Sequence, residues 1–166
     1  LADVLTGKVN PSGKLPFSYP VKLKDCPAHF YGEMSYPGDS IKQEYKEDIL
    51  VGYRWYDTKK IKPLFPFGYG LSYTTYKYSK PVLSAKQMNE GETLSVSVKV
   101  KNTGTVAGKE TVQLYIGDEK CSLLRPQKEL KGFQKVSLQP GEEKEITFTI
   151  KPEDLQFFDD RKHEWV

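Results

Sequence analysis

Leu94-Ser95-Val96-Ser97-Val98-Lys99-Val100 alternates apolar and polar side chains with a period of two. That period puts the leucine and valines on one face of an extended strand and the serines and lysine on the other, the pattern of a half-buried antiparallel strand. Thr111 to Ile116 and Ile146 to Ile150 are two further short β-rich runs. Turn residues separate them: Asn89-Glu90-Gly91, Asn102-Thr103-Gly104 and Gln139-Pro140-Gly141-Glu142. These spacings are those of a two-sheet sandwich of roughly 100 residues. From about Tyr73 to Val166 the chain therefore reads as one immunoglobulin-like or fibronectin-like module. It lacks the Cys and Trp spacing of antibody domains, which argues against that subtype.

Outward from the sandwich, toward the N-terminus, the grammar is different. Leu1-Ala2-Asp3-Val4-Leu5 reads as the middle of a helix without its capping residue, and the chain has no initiating methionine, so we expect the tail of a longer polypeptide. Gly7 suits a helix C-cap and Pro11-Ser12-Gly13 a tight turn leading into an extended Lys14 to Phe17. From Pro20 to Glu44 the text is polar and broken by Pro27, Gly32, Pro37 and Gly38, which predicts a long surface loop. Ile49 to Tyr56 is a strand-like apolar run. Pro63 to Leu71 holds too many prolines and glycines for a regular element, and only packing of its aromatics can fix its shape.

The bulk numbers exclude several functions. The 166 residues and 19.0 kDa allow one domain, or one domain and part of another. With 37% hydrophobic and 28% charged residues the chain is an ordinary folding sequence. The net charge of +3 is spread rather than blocked, so neither nucleic acid nor an anionic membrane is expected as a partner. No apolar run approaches the roughly 18 residues of a membrane span. Cys26 and Cys121 match no metal-ligand spacing and read as free thiols rather than one bridge.

Several strings resemble one family closely. Leu1 to Leu5 with Asn10-Pro11-Ser12-Gly13-Lys14-Leu15-Pro16 is similar to the end of the α/β sandwich domain of glycoside hydrolase family 3 β-glucosidases. Gly52-Tyr53-Arg54-Trp55-Tyr56-Asp57 and Phe65-Pro66-Phe67-Gly68-Tyr69-Gly70-Leu71-Ser72-Tyr73-Thr74 resemble that family's connector into its last domain. Val98 to Gly104, Arg125 to Phe133 and Leu138 to Glu142 resemble its fibronectin type III-like domain. The resemblance implies hydrolysis of terminal β-linked glucose, from oligosaccharides or glycosides, with retention of configuration by two carboxyls about 5–5.5 Å apart. In the family the nucleophilic aspartate sits in an N-terminal barrel and the acid/base glutamate upstream of the string that begins here. Neither motif has a counterpart in this sequence, so no catalytic, substrate-binding or metal position is assigned, and no cofactor is expected.

The remaining candidates read as structural. Glu47-Asp48, Glu142-Glu143 and Asp159-Asp160 are neighbours in sequence, whereas a glycosidase needs carboxyls facing each other from separate elements, so solvated charge is expected. His29 and His163 lack a ligand pattern. Gly68-Tyr69-Gly70 has no following helix N-terminus to bind phosphate. Trp55 and Tyr56 are expected in a packed interface, leaving Phe30, Tyr31 and Tyr36 open as rim contacts to a long substrate. Arg54, followed by Asp57, suits a structural ion pair or a hydrogen bond to nearby backbone, and no substrate is assigned to it.

The expected fold is mainly β. An immunoglobulin-like or fibronectin type III-like β-sandwich over 72–166, one strand short, is preceded over 1–71 by the end of an α/β sandwich domain and an extended connector. The expected role is that of the C-terminal segment of a retaining, secreted or periplasmic β-glucosidase, packed on the rest of its own enzyme and inactive alone. A non-enzymatic carbohydrate- or protein-binding module is the alternative, and a plain spacer a third.

Overall fold

The computed structural model describes residues 1–166, which divide into two compact units. One collects Leu1–Ser12, Ser72–Ile116 and Leu130–Val166; the other collects Gly13–Leu71 and Gly117–Glu129. Spatial grouping does not follow chain order: the first helix belongs with the sandwich strands, and a loop between two of those strands belongs with the connector.

In the first unit, helix α1 (Ala2–Leu5) closes with the Thr6 N–H on the Ala2 carbonyl, and Gly7 follows at φ 75°, the left-handed conformation expected just past a helix end. The strands are β1 (Tyr76–Tyr78), β2 (Val82–Leu83), β3 (Leu94–Asn102), β4 (Gly108–Ile116), β5 (Glu129–Leu138) and β6 (Glu143–Ile150). Val100 is register partner to both Tyr78 and Lys144, and Val96 to both Leu83 and Phe148, so β1 and β2 share one edge of β3 and β6 takes the other, all antiparallel. Strands β4 and β5 form the second sheet. Between β1 and β2 the chain leaves the ladder, and Ser79 fills the gap: its N–H donates to the Lys99 carbonyl and its Oγ accepts from the Lys99 N–H.

Period two decides which residues meet. Val100 from β3, Ile146 from β6, Val112 from β4, and Val136 and Leu138 from β5 are buried together, with Tyr76, Val98 and Phe148 leaning in. Two sheets thus share one core, the definition of a sandwich. On the opposite face of β3, Ser97 and Thr147 hydrogen-bond across the register at 2.7 Å. Strand β5 is absent from the periodicity reading because Gly132 interrupts its alternation and Phe133 points out, 70% exposed. Gly132 leaves room for the Phe148 ring: a Cβ would lie 3.0 Å from it, and the ring would have to shift by a few tenths of an ångström. The β5–β6 connection is a type II turn, with Pro140 at its second position, Gly141 at φ 77° in its third, and the Glu142 N–H on the Gln139 carbonyl at 3.0 Å.

Helix α4 (Pro152–Leu155) precedes a C-terminal hairpin of β7 (Phe158–Asp159) and β8 (Glu164–Trp165), closed by reciprocal 2.9 Å bonds between Phe157 and Val166.

The second unit corrects two readings. Ile49 to Tyr56 is not a strand: Gly52 turns the chain at φ 57°, and Tyr53–Thr58 forms helix α3, with α2 (Pro27–Phe30) lying earlier in the chain. A short apolar run fits either element, and the packing partner decides. Here Leu50, Trp55 and Tyr56 bury against Tyr31 and Ile61. The loop from Pro20 to Glu44 is also less irregular than expected, holding a 3₁₀ turn at Leu23–Asp25 and α2.

Candidate functional site

Of the aromatic residues singled out in the sequence, Phe30 and Tyr31 meet Trp55 of α3, and Tyr36 does not. Trp55 is fully buried; its Nε1–H donates to the Asp25 carbonyl at 3.0 Å, and the rings of Phe30 and Tyr31 meet it edge-on at 5.0 and 5.7 Å. The Lys59 ammonium sits 5.4 Å from the indole centroid. An indole without an exposed face has none to offer a sugar ring, so Trp55 packs the unit. Tyr56 is buried beside it; burial, and then the contact of its hydroxyl with Cys26 Sγ at 3.9 Å, push its phenol above the usual range. Of the three loop aromatics, Tyr31 is committed to Trp55, while Phe30 and Tyr36 each stay 51% exposed, Tyr36 against the His29 ring at 4.6 Å. His163 is exposed on the β7–β8 turn at φ 56°.

Arg54 and Asp57 do not pair with each other. Arg54 reaches Glu129 at 3.4 Å, Arg125 holds the other oxygen of Glu129 at 2.8 Å, and Asp57 takes Lys128 at 3.2 Å. The Gln127 N–H donates to Thr58 Oγ1 at 3.0 Å. Residues 125–129 are thereby stitched to α3, a use of the guanidinium fork that needs no substrate. No local signal points to either partner: residues 125–129 are not helical, so the four-residue spacing of Arg125 and Glu129 does not by itself bring them together.

The adjacent carboxylates are not all solvated. Glu47 and Asp159 are buried, the first with Oε2 unpartnered, while Asp48 is exposed at φ 56°. Asp159 is buried because the Arg161 guanidinium grips both its oxygens at 3.1 Å, and that bond holds its carboxyl below the usual range. Glu142 caps its own turn by accepting the Gln139 N–H at 2.6 Å, which lowers its pKa. Glu44, between Lys42 and Lys46, is held down to about 2 by hydrogen bonds to both. Asp39, Glu44, Glu92, Glu142 and Asp159 are each shifted down by hydrogen bonds to their carboxylates. A glycosidic general acid needs the opposite shift. Cys26 and Cys121 are free thiols, and no three His, Cys, Asp or Glu side chains gather in metal-holding geometry.

Two asparagines organise the first unit, and the sequence reading passed both by except as turn residues. Asn10 donates to the Ala107 carbonyl at 2.9 Å and accepts from the Ser72 hydroxyl and the Tyr73 N–H at 3.0 and 2.9 Å; the Tyr73 hydroxyl donates to the Val4 carbonyl at 2.7 Å. The segment before the sandwich, the approach to β1 and the β3–β4 turn are thus held at one point. Asn102, fully buried, fills all its hydrogen-bonding capacity: Oδ1 accepts from Thr74 Oγ1 and the Gly104 N–H, and Nδ2 donates to the Val106 and Leu138 carbonyls. An Asn-x-Gly turn signal hints at the Gly104 bond alone.

These constellations hold the chain's own segments together. The glycosyl hydrolase family 3 C-terminal domain matches residues 1–73, and a fibronectin type III-like domain matches residues 110–166. The chain belongs to glycoside hydrolase family 3, in the C-terminal part of that family's architecture. It is 76% identical over 166 residues to beta-glucosidase BoGH3A of Bacteroides ovatus, covering 100% of this chain and 22% of that protein. It is 52% identical to thermostable beta-glucosidase B of Acetivibrio thermocellus, over 99% of this chain and 21% of the relative. Among solved structures, beta-glucosidase 3B of Thermotoga neapolitana in complex with glucose superposes with a TM-score of 0.84 at 45% identity, over 95% of this chain and 22% of that one. The Bifidobacterium adolescentis family 3 beta-glucosidase gives 0.89 at 38% identity, over 99% and 23%. The chain spans about a fifth of the length of these relatives.

Proposed function

We propose that this chain is the C-terminal scaffold of a retaining β-glucosidase acting on terminal β-linked glucose in oligosaccharides or glycosides, with the sandwich bracing the domains that carry the chemistry. The single observation behind this reading is the 76% identity over all 166 residues to a beta-glucosidase. The geometry fits a bracing role: the Asn10 and Asn102 side chains each join several backbone segments to one another. A secreted or periplasmic location rests on the family resemblance alone; no helix of the chain is long and apolar enough to cross a membrane. The sandwich takes up one further strand along the β4–β5 sheet, which has two strands here.

The test uses an aryl β-glucoside. The full-length polypeptide releases β-glucose as the first product, read by proton NMR before mutarotation, while the 166-residue chain gives no turnover above background. Turnover by the short chain that is abolished by Glu47→Ala or Asp48→Ala would place the active site here and end the scaffold reading.

A further inference from the structure

The segment from Met34 to Glu44 folds back on itself as a closed loop. The Glu44 N–H donates to the Met34 carbonyl at 2.8 Å, the Gly38 N–H to the Glu33 carbonyl at 2.7 Å, and Gln43 Nε2 to the Ser35 carbonyl at 2.7 Å. At the tip, Asp39 Oδ1 accepts from the Ile41 and Lys42 N–H groups at 2.7 and 2.8 Å. Gly38, at φ 83°, lets the tip close, since a Cβ there would lie 2.7 Å from the Lys42 carbonyl oxygen. None of these bonds involves the side chain of Tyr36. Its ring leans on His29 of α2, with centroids 4.6 Å apart and planes at 65°, and is 51% exposed. Neither the Tyr36 hydroxyl nor the His29 imidazole hydrogen-bonds to any group of the chain.

The other aromatics of this stretch are committed or loose. Phe30 and Tyr31 stand edge-on to Trp55 and close over its indole. Tyr45, 73% exposed, touches no ring, so fixing it on a ligand would cost side-chain entropy that the propped Tyr36 has already lost. A half-exposed tyrosine presents roughly 100 Å². That is far below the about 800 Å² that a protein partner needs on each side, but enough to cover one face of a single pyranose ring. Tyrosine meets such a face with a flat apolar surface and carries a hydroxyl at the rim for those of the sugar. The local charge suits a neutral ligand: Lys42 and Lys46 both pair with Glu44, and the Asp39 carboxylate is taken up by its own turn.

We propose that Tyr36 is a specificity-determining residue: its ring stacks on the sugar next to the terminal glucose of an oligosaccharide and favours such chains over glycosides with a single sugar. This rests on the β-glucosidase reading given above. The test uses the full-length polypeptide and whichever of cellotriose and laminaritriose it cleaves faster. Tyr36→Ala is expected to raise KM for that triose about three- to tenfold more than KM for methyl β-glucoside, the range of one aromatic contact. The loss should appear in KM rather than kcat, as it does for an interaction equally strong in ground and transition states. Tyr36→Phe keeps the stack and is expected to recover most of the loss. An equal rise on both substrates, as from a disturbed loop, overturns the proposal, and so does no rise on either. Binding is read separately from activity by fluorine NMR of the polypeptide labelled with 3-fluorotyrosine and titrated with the sulfur-linked, uncleavable triose. The line missing from the Tyr36→Phe spectrum should shift. An enzyme active on methyl β-glucoside whose Tyr36 line stays fixed sinks the proposal and spares the activity reading; an inactive polypeptide whose Tyr36 line shifts does the reverse.

Discussion

Replacing Asn102 should unlock the sandwich, and the cost follows from its four contacts. Oδ1 accepts at 2.6 Å from Thr74 Oγ1 and at 3.0 Å from the Gly104 N–H; Nδ2 donates at 2.8 Å to the Val106 carbonyl and at 3.2 Å to the Leu138 carbonyl. A hydrogen bond contributes about 1 kcal/mol net, and a buried group left unpaired costs about 1–3 kcal/mol. Asn102→Ala removes all four, which sums to about 4 kcal/mol. Asn102→Asp keeps the two bonds to Oδ1 but turns an acceptor toward two carbonyls in a fully buried site, so at neutral pH it costs at least as much. Protonation restores one donor, so the folded state raises the new carboxyl's pKa above the unfolded value of about 3.9. A raised folded pKa means that stability is retained below about pH 4 and lost as pH rises through the folded value, so the Asp deficit grows from pH 4 to 7. Urea unfolding followed by amide exchange of Val96 to Asn102 reports this unit alone. With a slope of about 2 kcal/mol/M, a 4 kcal/mol loss moves the midpoint down by about 2 M. Ser97→Ala, which breaks the exposed bond to Thr147, should cost no more than about 0.5 kcal/mol. An Asn102→Ala midpoint indistinguishable from that of Ser97→Ala would refute the reasoning.

Three further outcomes are expected. Trp55→Ala empties the core of the second unit and should cost about 3–5 kcal/mol in denaturant, whereas Trp55→Phe, which loses chiefly the 3.0 Å bond to Asp25, should cost about 1–2 kcal/mol; equal losses would discount the ring packing. Glu44 should titrate near pH 2 by carbon-detected NMR, because Lys42 and Lys46 hydrogen-bond its carboxylate. A depressed folded pKa means that the stabilisation is present above about pH 4.5 and lost as pH falls through about 2, and Lys42→Ala should bring the midpoint back toward the ordinary value. Leu1 to Leu71 alone should show no cooperative thermal unfolding, since Glu129 and Lys128, which hold Arg54 and Asp57, are then missing; a sharp transition would show that the segment folds by itself.

Local signals were enough for the sandwich. The period-two run at Leu94–Val100, the short β-rich runs that end at Ile116 and Ile150, and the Pro-Gly turn at 140–141 each carry their conformation in their own residues. Backbone sterics and a one-sided core leave such segments little choice. The strings from Asn10 to Pro16 and from Phe65 to Thr74 carried the family by their resemblance to its members. What the sequence could not decide were the features set by partners distant along the chain. Ile49 to Tyr56 has an apolar pattern that suits strand or helix, and became α3 because Trp55 and Tyr56 found Tyr31 and Ile61 to pack on. Strand β5 hides behind Gly132, whose missing side chain makes sense only beside the Phe148 ring. Glu129 draws Arg54 from 75 residues away, and Asn10 reaches Ala107. Propensity acts over a few bonds, while desolvation and hydrogen-bond satisfaction act wherever the chain returns to itself, and only the tertiary structure determines where that is.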